Sequence, residues 1–378
     1  MSESWALCAG TMPRAGFRER VDAAAEAGFA AITLFPEHYL DAVAREGLDP
    51  SAMRSHLQGA GIFVHQLDPL LDWYSTDATR SELRLYEAAE ATGATSVNVA
   101  PAFAPTEDLA FLTDRLGALG ERAAARGLSI DLEFLPWSSI PNLGTAISVV
   151  EACGLRNVGV MLDSWHFFRS GGQVSELTPE VVSRITGVQL NDAPLHPAPR
   201  GARERWDASQ ALLGWARNGW RTLGARDLVR LTSNAAQSAN PDLIGETLTR
   251  RLLPGDGQQP VAELFAALKA GGCRAPMGVE VFNATLHRLS PRVVARRAMD
   301  GCLRVRSRTT GGTRTPRTAE GLPRSRRNRG NIGNRPRRCL RRTLLRCSTP
   351  PPRRRDRSRP PAPRTWHPFR TTSPFRCR

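Results

Sequence analysis

Short apolar runs recur along the first 300 or so residues, each bounded by polar or glycine-containing segments. Runs of this length that are rich in Val, Ile and Leu are typical of buried parallel strands. Eight runs are predicted to be strands: Trp5–Ala9, Ala30–Phe35, Ile62–Leu67, Ser96–Ala100, Leu128–Phe134, Val158–Leu162, Gly187–Leu190 and Met277–Phe282.

Amphipathic segments separate these runs, with apolar residues at helical spacing. They include Phe17–Ala27, Glu82–Ala91, Leu109–Arg126, Leu143–Cys153 and Val261–Ala270. Several helical segments are followed by a glycine, such as Gly28, Gly154 and Gly271, which suits a left-handed C-cap. Strand–helix alternation repeated this often predicts an α/β fold, a closed (β/α)8 TIM barrel.

Four polar side chains lie at or near the C-terminal ends of predicted strands: Glu133, Asp163, Gln189 and Glu280. In a (β/α)8 barrel these ends meet on the face where active sites form. Three carboxylates brought together there repel one another unless they share a cation, and their oxygens suit a divalent one. The pattern therefore indicates a metal-dependent enzyme.

One interval between these residues is too long for a single barrel unit. Glu133 and Asp163 are 30 residues apart and Asp163 and Gln189 are 26 apart, but 91 residues separate Gln189 from Glu280. The excess falls at about residues 195–240, between strands seven and eight, and has helical composition. Either a lid over the pocket or a peripheral insertion fits it.

Charge is divided unevenly along the chain. Residues 304–378 contain 24 Arg and two acids, a net charge of +22, so the total of +16 leaves −6 for residues 1–303. The barrel is thus predicted to span residues 1–303. The Arg/Pro-rich tail at 304–378 is predicted to be disordered, because it has too little apolar area to offset its ordering entropy.

The origin of the tail stays open. The chain has one lysine, Lys269, against 51 arginines, which suggests a GC-rich coding sequence. Translation of such DNA in a shifted reading frame yields an amino-acid sequence rich in Arg and Pro. The tail is therefore either a frameshift artefact or a natural basic extension. Nucleic acid is not expected as a partner except through this tail.

Five motifs, in this order, resemble the sugar phosphate isomerase/epimerase family of the xylose-isomerase-like TIM-barrel superfamily. They lie at Asp131–Pro136, Val160–Gly171, Val188–Pro194, Arg251–Gly257 and Val279–Asn283. The resemblance covers roughly residues 4–300 apart from the 195–240 insertion.

The resemblance implies that Glu133, Asp163, Gln189 and Glu280 bind one Mn²⁺ or Mg²⁺ ion, or Co²⁺. Many relatives carry histidine at the position of Gln189, and an amide oxygen favours the harder metals. By the same resemblance Glu133 and Glu280 are the catalytic bases.

Substrate contacts are expected from His166, three residues after Asp163, and from Arg251, for which Arg250 is the alternative. His65 and Asp68, near the end of the third predicted strand, are expected to line the pocket, with His65 binding substrate. Trp73 and Trp137 could form an apolar wall or belong to the core. Asp192 is expected to cap a loop.

The preferred hypothesis is a metal-dependent sugar or sugar phosphate isomerase or epimerase that moves a proton next to a carbonyl through a metal-bound enediolate. The alternative is a dehydratase or lyase of the same superfamily acting on a keto-inositol or a dehydroshikimate-like acid. An endonuclease and a catalytically inactive scaffold with a functional tail are further hypotheses.

Location and assembly are constrained only broadly. No apolar run is long enough for a membrane span, and the seven cysteines include no Cys-x-x-Cys pair. These features predict a cytoplasmic protein with no membrane partner, and the family resemblance implies an enzyme with a small-molecule carbohydrate substrate. The sequence itself does not fix the oligomeric state; because relatives often pair, a homodimer is one candidate assembly.

Overall fold

A computed structural model describes residues 4–102, 108–197 and 241–310 of the chain. Its eight parallel strands pair in chain order into a closed barrel, with β1 hydrogen-bonded to β8. The predicted (β/α)8 barrel is therefore confirmed. The strands are β1 Trp5–Leu7, β2 Ala31–Leu34, β3 Phe63–Leu70, β4 Ser96–Val99, β5 Ser129–Glu133, β6 Val158–Asp163, β7 Ile185–Leu190 and β8 Met277–Val279.

Helices cover the outside of the barrel and bury their apolar faces against it. They are α1 Phe17–Ala27, α2 Pro36–Glu46, α3 Pro50–Ala60, α4 Arg80–Thr92, α5 Leu109–Ala124, α6 Leu143–Cys153, α7 Ser164–Arg169, α8 Pro179–Val182, α9 Pro241–Thr249, α10 Val261–Ala270 and α11 Pro291–Thr310. Three 3₁₀ turns lie at Ala9–Thr11, Val174–Glu176 and Leu286–Arg288. The bounds of α1, α6 and α10 coincide with the predicted ones.

Some boundaries differ from the prediction for local reasons. β8 ends at Val279; the Glu280 N–H still donates to the Leu190 carbonyl of β7 at 3.1 Å, but the Val281 N–H donates to the Thr11 side chain at 2.9 Å. β3 continues to Leu70, past its predicted end at Leu67. The expected left-handed cap at Gly271 is wrong, since φ is −75° there and the left-handed residue is Gly272, at φ +83°.

Strand register brings the polar strand ends to one rim of the barrel. Asp163 of β6 pairs with Gln189 of β7, which pairs in turn with Gly278 of β8. A Cβ at Gly278 would come within 2.6 Å of the Val188 carbonyl oxygen, so glycine permits this close approach of β7 and β8. Glu280 follows two residues later and completes the rim.

A polar layer fills the barrel interior below this rim. Asp131 of β5 accepts hydrogen bonds from Gln66 Nε2 and from the Thr186 hydroxyl. Asp131 and Gln66 are buried and find partners here, as buried polar groups generally do, whereas Thr186 is exposed. The carboxylate oxygens of Asp131 are thus engaged in hydrogen bonds one layer below the rim.

The last helix extends beyond residue 303, where the sequence analysis ended the barrel. Val305 is fully buried, and Arg304 Nη2 donates to Asp256 Oδ1 at 2.7 Å. These contacts explain why α11 continues to Thr310. Residues 198–240 of the predicted insertion and residues 311–378 of the predicted tail lie outside the described residues.

No helix in the described ranges has the length and apolar character needed to cross a bilayer. Cys8, Cys153, Cys273 and Cys302 all carry free thiols.

Candidate metal and acid–base site

The rim of the barrel collects a group of buried charged side chains. Glu133 ends β5, Asp163 ends β6, Gln189 lies one residue before the end of β7, and Glu280 follows β8. Their exposed fractions are 7%, 0%, 1% and 4% in that order. All four predicted metal ligands thus lie on the same face of the barrel, shielded from solvent.

Asp163 connects this group to the helix behind it. Its Oδ1 accepts the His166 backbone N–H at 3.0 Å and caps α7. Its Oδ2 accepts from Asn191 Nδ2 at 2.8 Å and from Arg251 Nη1 at 2.6 Å. The residue is therefore a helix cap and a member of the charged group at once.

Arg251 places its guanidinium between two of the predicted metal ligands. Nη1 lies 2.6 Å from Asp163 Oδ2 and 3.6 Å from Glu280 Oε2. The guanidinium is held by Thr247, whose side-chain oxygen accepts from Nη2 at 2.6 Å, and it faces the Trp165 and Phe282 rings. Of the two arginines that the sequence left open, Arg251 is the one that joins this group.

His166, on the first turn of α7, lies beside Glu133. Its Nε2 is 3.4 Å from Glu133 Oε1 and 3.1 Å from Arg251 Nη2. Burial, reinforced by the positive charge of Arg251, holds the His166 pKa well below its ordinary value. The imidazole is therefore neutral at physiological pH, and its Nε2 accepts from Arg251 because a guanidinium can only donate.

Trp137 packs against the same histidine. Its ring centroid lies 5.4 Å from that of His166, which supports the predicted apolar wall. Trp73 instead belongs to the core, because it is fully buried and its Nε1 donates to the Ala100 carbonyl at 3.0 Å.

Asp68 and Asn98 are part of the charged group as well. Asn98 Nδ2 donates to Asp68 Oδ1 at 2.9 Å and to Glu133 Oε2 at 2.8 Å. Asp68 also hydrogen-bonds Glu280 and accepts from Gln189 Nε2 at 3.4 Å. The sequence analysis expected Asp68 to line the pocket but did not identify Asn98, whose signal was a polar residue between Val97 and Val99 of a predicted strand.

His65 does not join this group. Its charged neighbour is Asp131, in the layer below the rim, and its backbone oxygen accepts from the Thr95 amide at 3.3 Å. The geometry therefore gives no support to the substrate contact predicted for His65. Asp192 accepts the backbone amides of Ala193, Gly255 and Gln259, which is the loop-capping role expected of it.

Crowding of carboxylates raises their pKa values. Burial is the main cause for Glu133, with Asp163 and Asp68 adding repulsion, and its pKa rises to about 8. Burial raises the pKa of Asp68 to about 6, and the pKa values of Asp163 and Glu280 are raised as well. The metal-free site thus resists full ionisation, which a bound cation would favour.

These shifts predict how stability depends on pH without metal. Asp68 and Glu133 bind protons more tightly in the folded chain than at their ordinary values of 3.8 and 4.5. Their stabilising contribution is complete below about pH 4 and is lost as the pH rises through about 6 and 8. Scanning calorimetry of metal-free protein should show an unfolding midpoint that falls from about pH 5 to about pH 8.5. A midpoint that rises over this range would contradict the predicted charge balance.

The side chains present can accommodate a divalent cation. One ligand atom each from Glu133, Asp163 and His166 lies within 4.8 Å of the other two. Gln189 Oε1 is buried and has no hydrogen-bond partner among the described residues, as expected of an oxygen reserved for a ligand. Carboxylate and amide oxygens with one imidazole suit Mn²⁺, Mg²⁺, Co²⁺ or Zn²⁺.

Two residues predicted to bind substrate lie among the predicted metal ligands. His166, predicted to bind substrate, belongs to the closest group of ligand atoms, whereas the Arg251 guanidinium lies between Asp163 and Glu280.

Comparisons with known proteins agree with this architecture. The family model described as "Xylose isomerase-like TIM barrel" matches residues 21–304. A protein of Pseudomonas aeruginosa named 3-dehydroshikimate dehydratase is 26% identical over 284 residues, which is 72% of this chain and 36% of that protein. The chain thus spans about a third of the length of this relative.

Two further proteins are similar over different extents. An inosose isomerase of Halalkalibacterium halodurans is 34% identical over 79 residues, covering 20% of this chain and 28% of that protein. The crystal structure of the IOLI protein with a bound zinc atom has a TM-score of 0.61 at 17% identity, covering 81% of this chain and 99% of that one. The match of the family model over most of the chain shows that it belongs to the xylose isomerase-like TIM barrel family.

Proposed function

We propose that this chain is a divalent-metal-dependent dehydratase that removes water from a cyclic hydroxy-ketone acid similar to dehydroshikimate. The 284-residue similarity to a 3-dehydroshikimate dehydratase supports the substrate class. The observation that carries the reaction type is the pairing of a neutral buried imidazole, His166, with the carboxyl group of Glu133 at 3.4 Å.

Loss of water requires a group that takes a proton from carbon and one that gives a proton to the departing hydroxide. His166 serves both needs if the two bonds break on the same face of the substrate. It takes the proton next to the carbonyl, the C–H electron pair forms the new double bond, and the same proton leaves with the hydroxide as water. The adjacent Glu133 carboxylate stabilises the imidazolium formed between these steps.

Glu133, Asp163, Gln189 and Glu280 are the residues proposed to hold the cation. When bound, a divalent ion acidifies the C–H bond by drawing electron density from the carbonyl. If Asp163 bound a cation, its pairing with Arg251 would weaken, and the Arg251 guanidinium would suit a substrate carboxylate. Trp137 provides an apolar surface for a ring, and its own contact with His166 keeps bulk water from the imidazole.

Isomerisation or epimerisation of a sugar is the second candidate. The similarity of 79 residues to an inosose isomerase favours it, as do two buried carboxyl groups, Glu133 and Glu280, of the kind that exchange a proton at a stereocentre. In that case His166 and Arg251 only bind substrate oxygens. The cytoplasmic location and the homodimer remain predictions in either case.

The two candidates differ in their products. Full-length protein incubated with Mn²⁺ and 3-dehydroshikimate is expected to produce an aromatic dihydroxy acid, detected by its ultraviolet absorbance, and the absorbance should not appear when a chelator is present. Absence of this product, together with exchange of solvent deuterium into a ketose or inosose, would replace the dehydratase by the isomerase.

A further inference from the structure

Asp68 is buried in the site, but the proposed reaction assigns it no task. It is 3% exposed and lies on β3, while its two amide partners lie on β4 and β7. Its Oδ1 accepts from Asn98 Nδ2 at 2.9 Å, and its Oδ2 accepts from Gln189 Nε2 at 3.4 Å. One carboxyl group thus accepts hydrogen bonds from the amide groups of two side chains.

This arrangement fixes which way each amide faces. A carboxylate only accepts hydrogen bonds, so each amide must turn its NH₂ group towards Asp68 and its oxygen away. The opposite rotamer would set a carbonyl oxygen against a carboxylate oxygen. Asp68 therefore selects one of two amide orientations that are otherwise similar in shape.

The amide oxygens turned away from Asp68 have no partner among the described residues. Asn98 Oδ1 and Gln189 Oε1 are both buried without a hydrogen bond, although their side chains are 0% and 1% exposed. Buried acceptors left unpaired cost stability, and they commonly mark a place for a ligand. For Gln189, beside Asp163 in the strand register, the fitting ligand is a cation.

We propose that Asp68 is a positioning residue that holds the Gln189 amide with its oxygen towards the divalent cation. Without Asp68, the amide would present nitrogen and oxygen to the cation in turn, and half of its orientations would repel the metal. This inference rests on the proposed metal-dependent function and deepens it.

If Asp68 served only to stabilise the fold, its replacement would lower the stability of the metal-free protein. The positioning role predicts otherwise. The Asp68 carboxyl group contacts Glu280, and Asp163 and Glu133 lie close enough for their charges to repel it. Removing the Asp68 charge should therefore leave the metal-free protein as stable as before or more stable. Groups kept for function at a cost in stability behave in this way.

The test is a double-mutant cycle read by calorimetric Mn²⁺ titration and thermal unfolding of the full chain. Asp68→Asn is expected to weaken Mn²⁺ binding at least about tenfold without lowering the metal-free melting temperature. In a Gln189→His background, the imidazole ligand needs no amide orientation, so the same substitution should weaken binding less than about threefold. Asp131→Asn is the matched control, because it removes a buried carboxylate from the layer below and should leave Mn²⁺ binding unchanged.

Each outcome is decisive. Equal Mn²⁺ affinity for wild type and Asp68→Asn would overturn the positioning role and leave the proposed function intact. Equal weakening in the wild-type and Gln189→His backgrounds would also overturn it, since loss of charge alone would then be the cause. No binding by wild type would overturn the proposed function and this inference with it. If Asp68→Asn does not fold, Asp68→Ala removes both acceptor oxygens and is expected to give the same pattern.

Discussion

Replacing His166 with glutamine is expected to lower the rate of water loss about 10³-fold while changing Mn²⁺ affinity less than about threefold. In the proposed reaction the buried imidazole is the base, with Nε2 at 3.4 Å from Glu133 Oε1, and glutamine cannot carry a proton between carbon and hydroxide. Steady-state kinetics at saturating Mn²⁺ and calorimetric titration measure the two quantities separately.

His56→Gln is the matched control for this change. His56 pairs with Asp22 on the outside of the barrel, 2.9 Å away, so its replacement should leave both quantities unchanged. If the rate for His166→Gln lies within tenfold of the wild-type rate, Glu133 and Glu280 rather than His166 move the proton. That result would favour the isomerase. A tenfold loss of Mn²⁺ affinity would make His166 a metal ligand instead.

Replacing Arg251 with methionine should have two opposite effects. Its guanidinium lies 2.6 Å from Asp163 Oδ2 and 3.6 Å from Glu280 Oε2, where it occupies carboxylate oxygens that a cation needs. Removing this positive charge is expected to tighten Mn²⁺ binding at least about tenfold. Turnover should fall about 10²-fold or more, because the substrate loses its charged partner.

Arg250→Met serves as the control for the change in net charge. Arg250 precedes Arg251 directly, and its Nη2 has no hydrogen-bond partner in the described part of the chain. Its replacement should leave metal affinity within about twofold of wild type. Weaker Mn²⁺ binding in Arg251→Met would show that Arg251 supports the metal ligands rather than competing for them.

Barrel topology and much of the site follow from local sequence patterns. Apolar runs of four to seven residues with polar residues at their ends predicted the strands and placed Glu133, Asp163 and Gln189 on one rim. This works because parallel strands of a closed barrel all direct their C-terminal ends to one face. Glu280 was predicted on a strand but lies one residue beyond it, where it reaches the same rim.

Asp68 shows why the remaining part could not be predicted in this way. Pro69 follows it directly, and proline normally ends a strand or confines it to an edge, whereas the predicted strand stops earlier, at Leu67. The strand instead continues to Leu70 and carries Asp68 into the site. Its hydrogen bonds with residues 30 and 121 positions away depend on barrel closure, which no local pattern encodes.

His65 shows the converse case. A histidine near a strand end is a reasonable candidate for a pocket, but three residues along a strand move a side chain by about 10 Å. That displacement separates the rim around Asp68 from the layer around Asp131. Whether a given side chain lines the pocket therefore depends on the strand register, and a register error of one residue changes the answer.

Calorimetric titration of the full chain with Mn²⁺, with Glu280→Ala measured beside wild type, addresses the metal site most directly. We expect one Mn²⁺ site per chain in wild type and no detectable site in a folded Glu280→Ala variant. No binding to folded wild type, or equal binding by the variant, would contradict a cation held by the rim carboxylates.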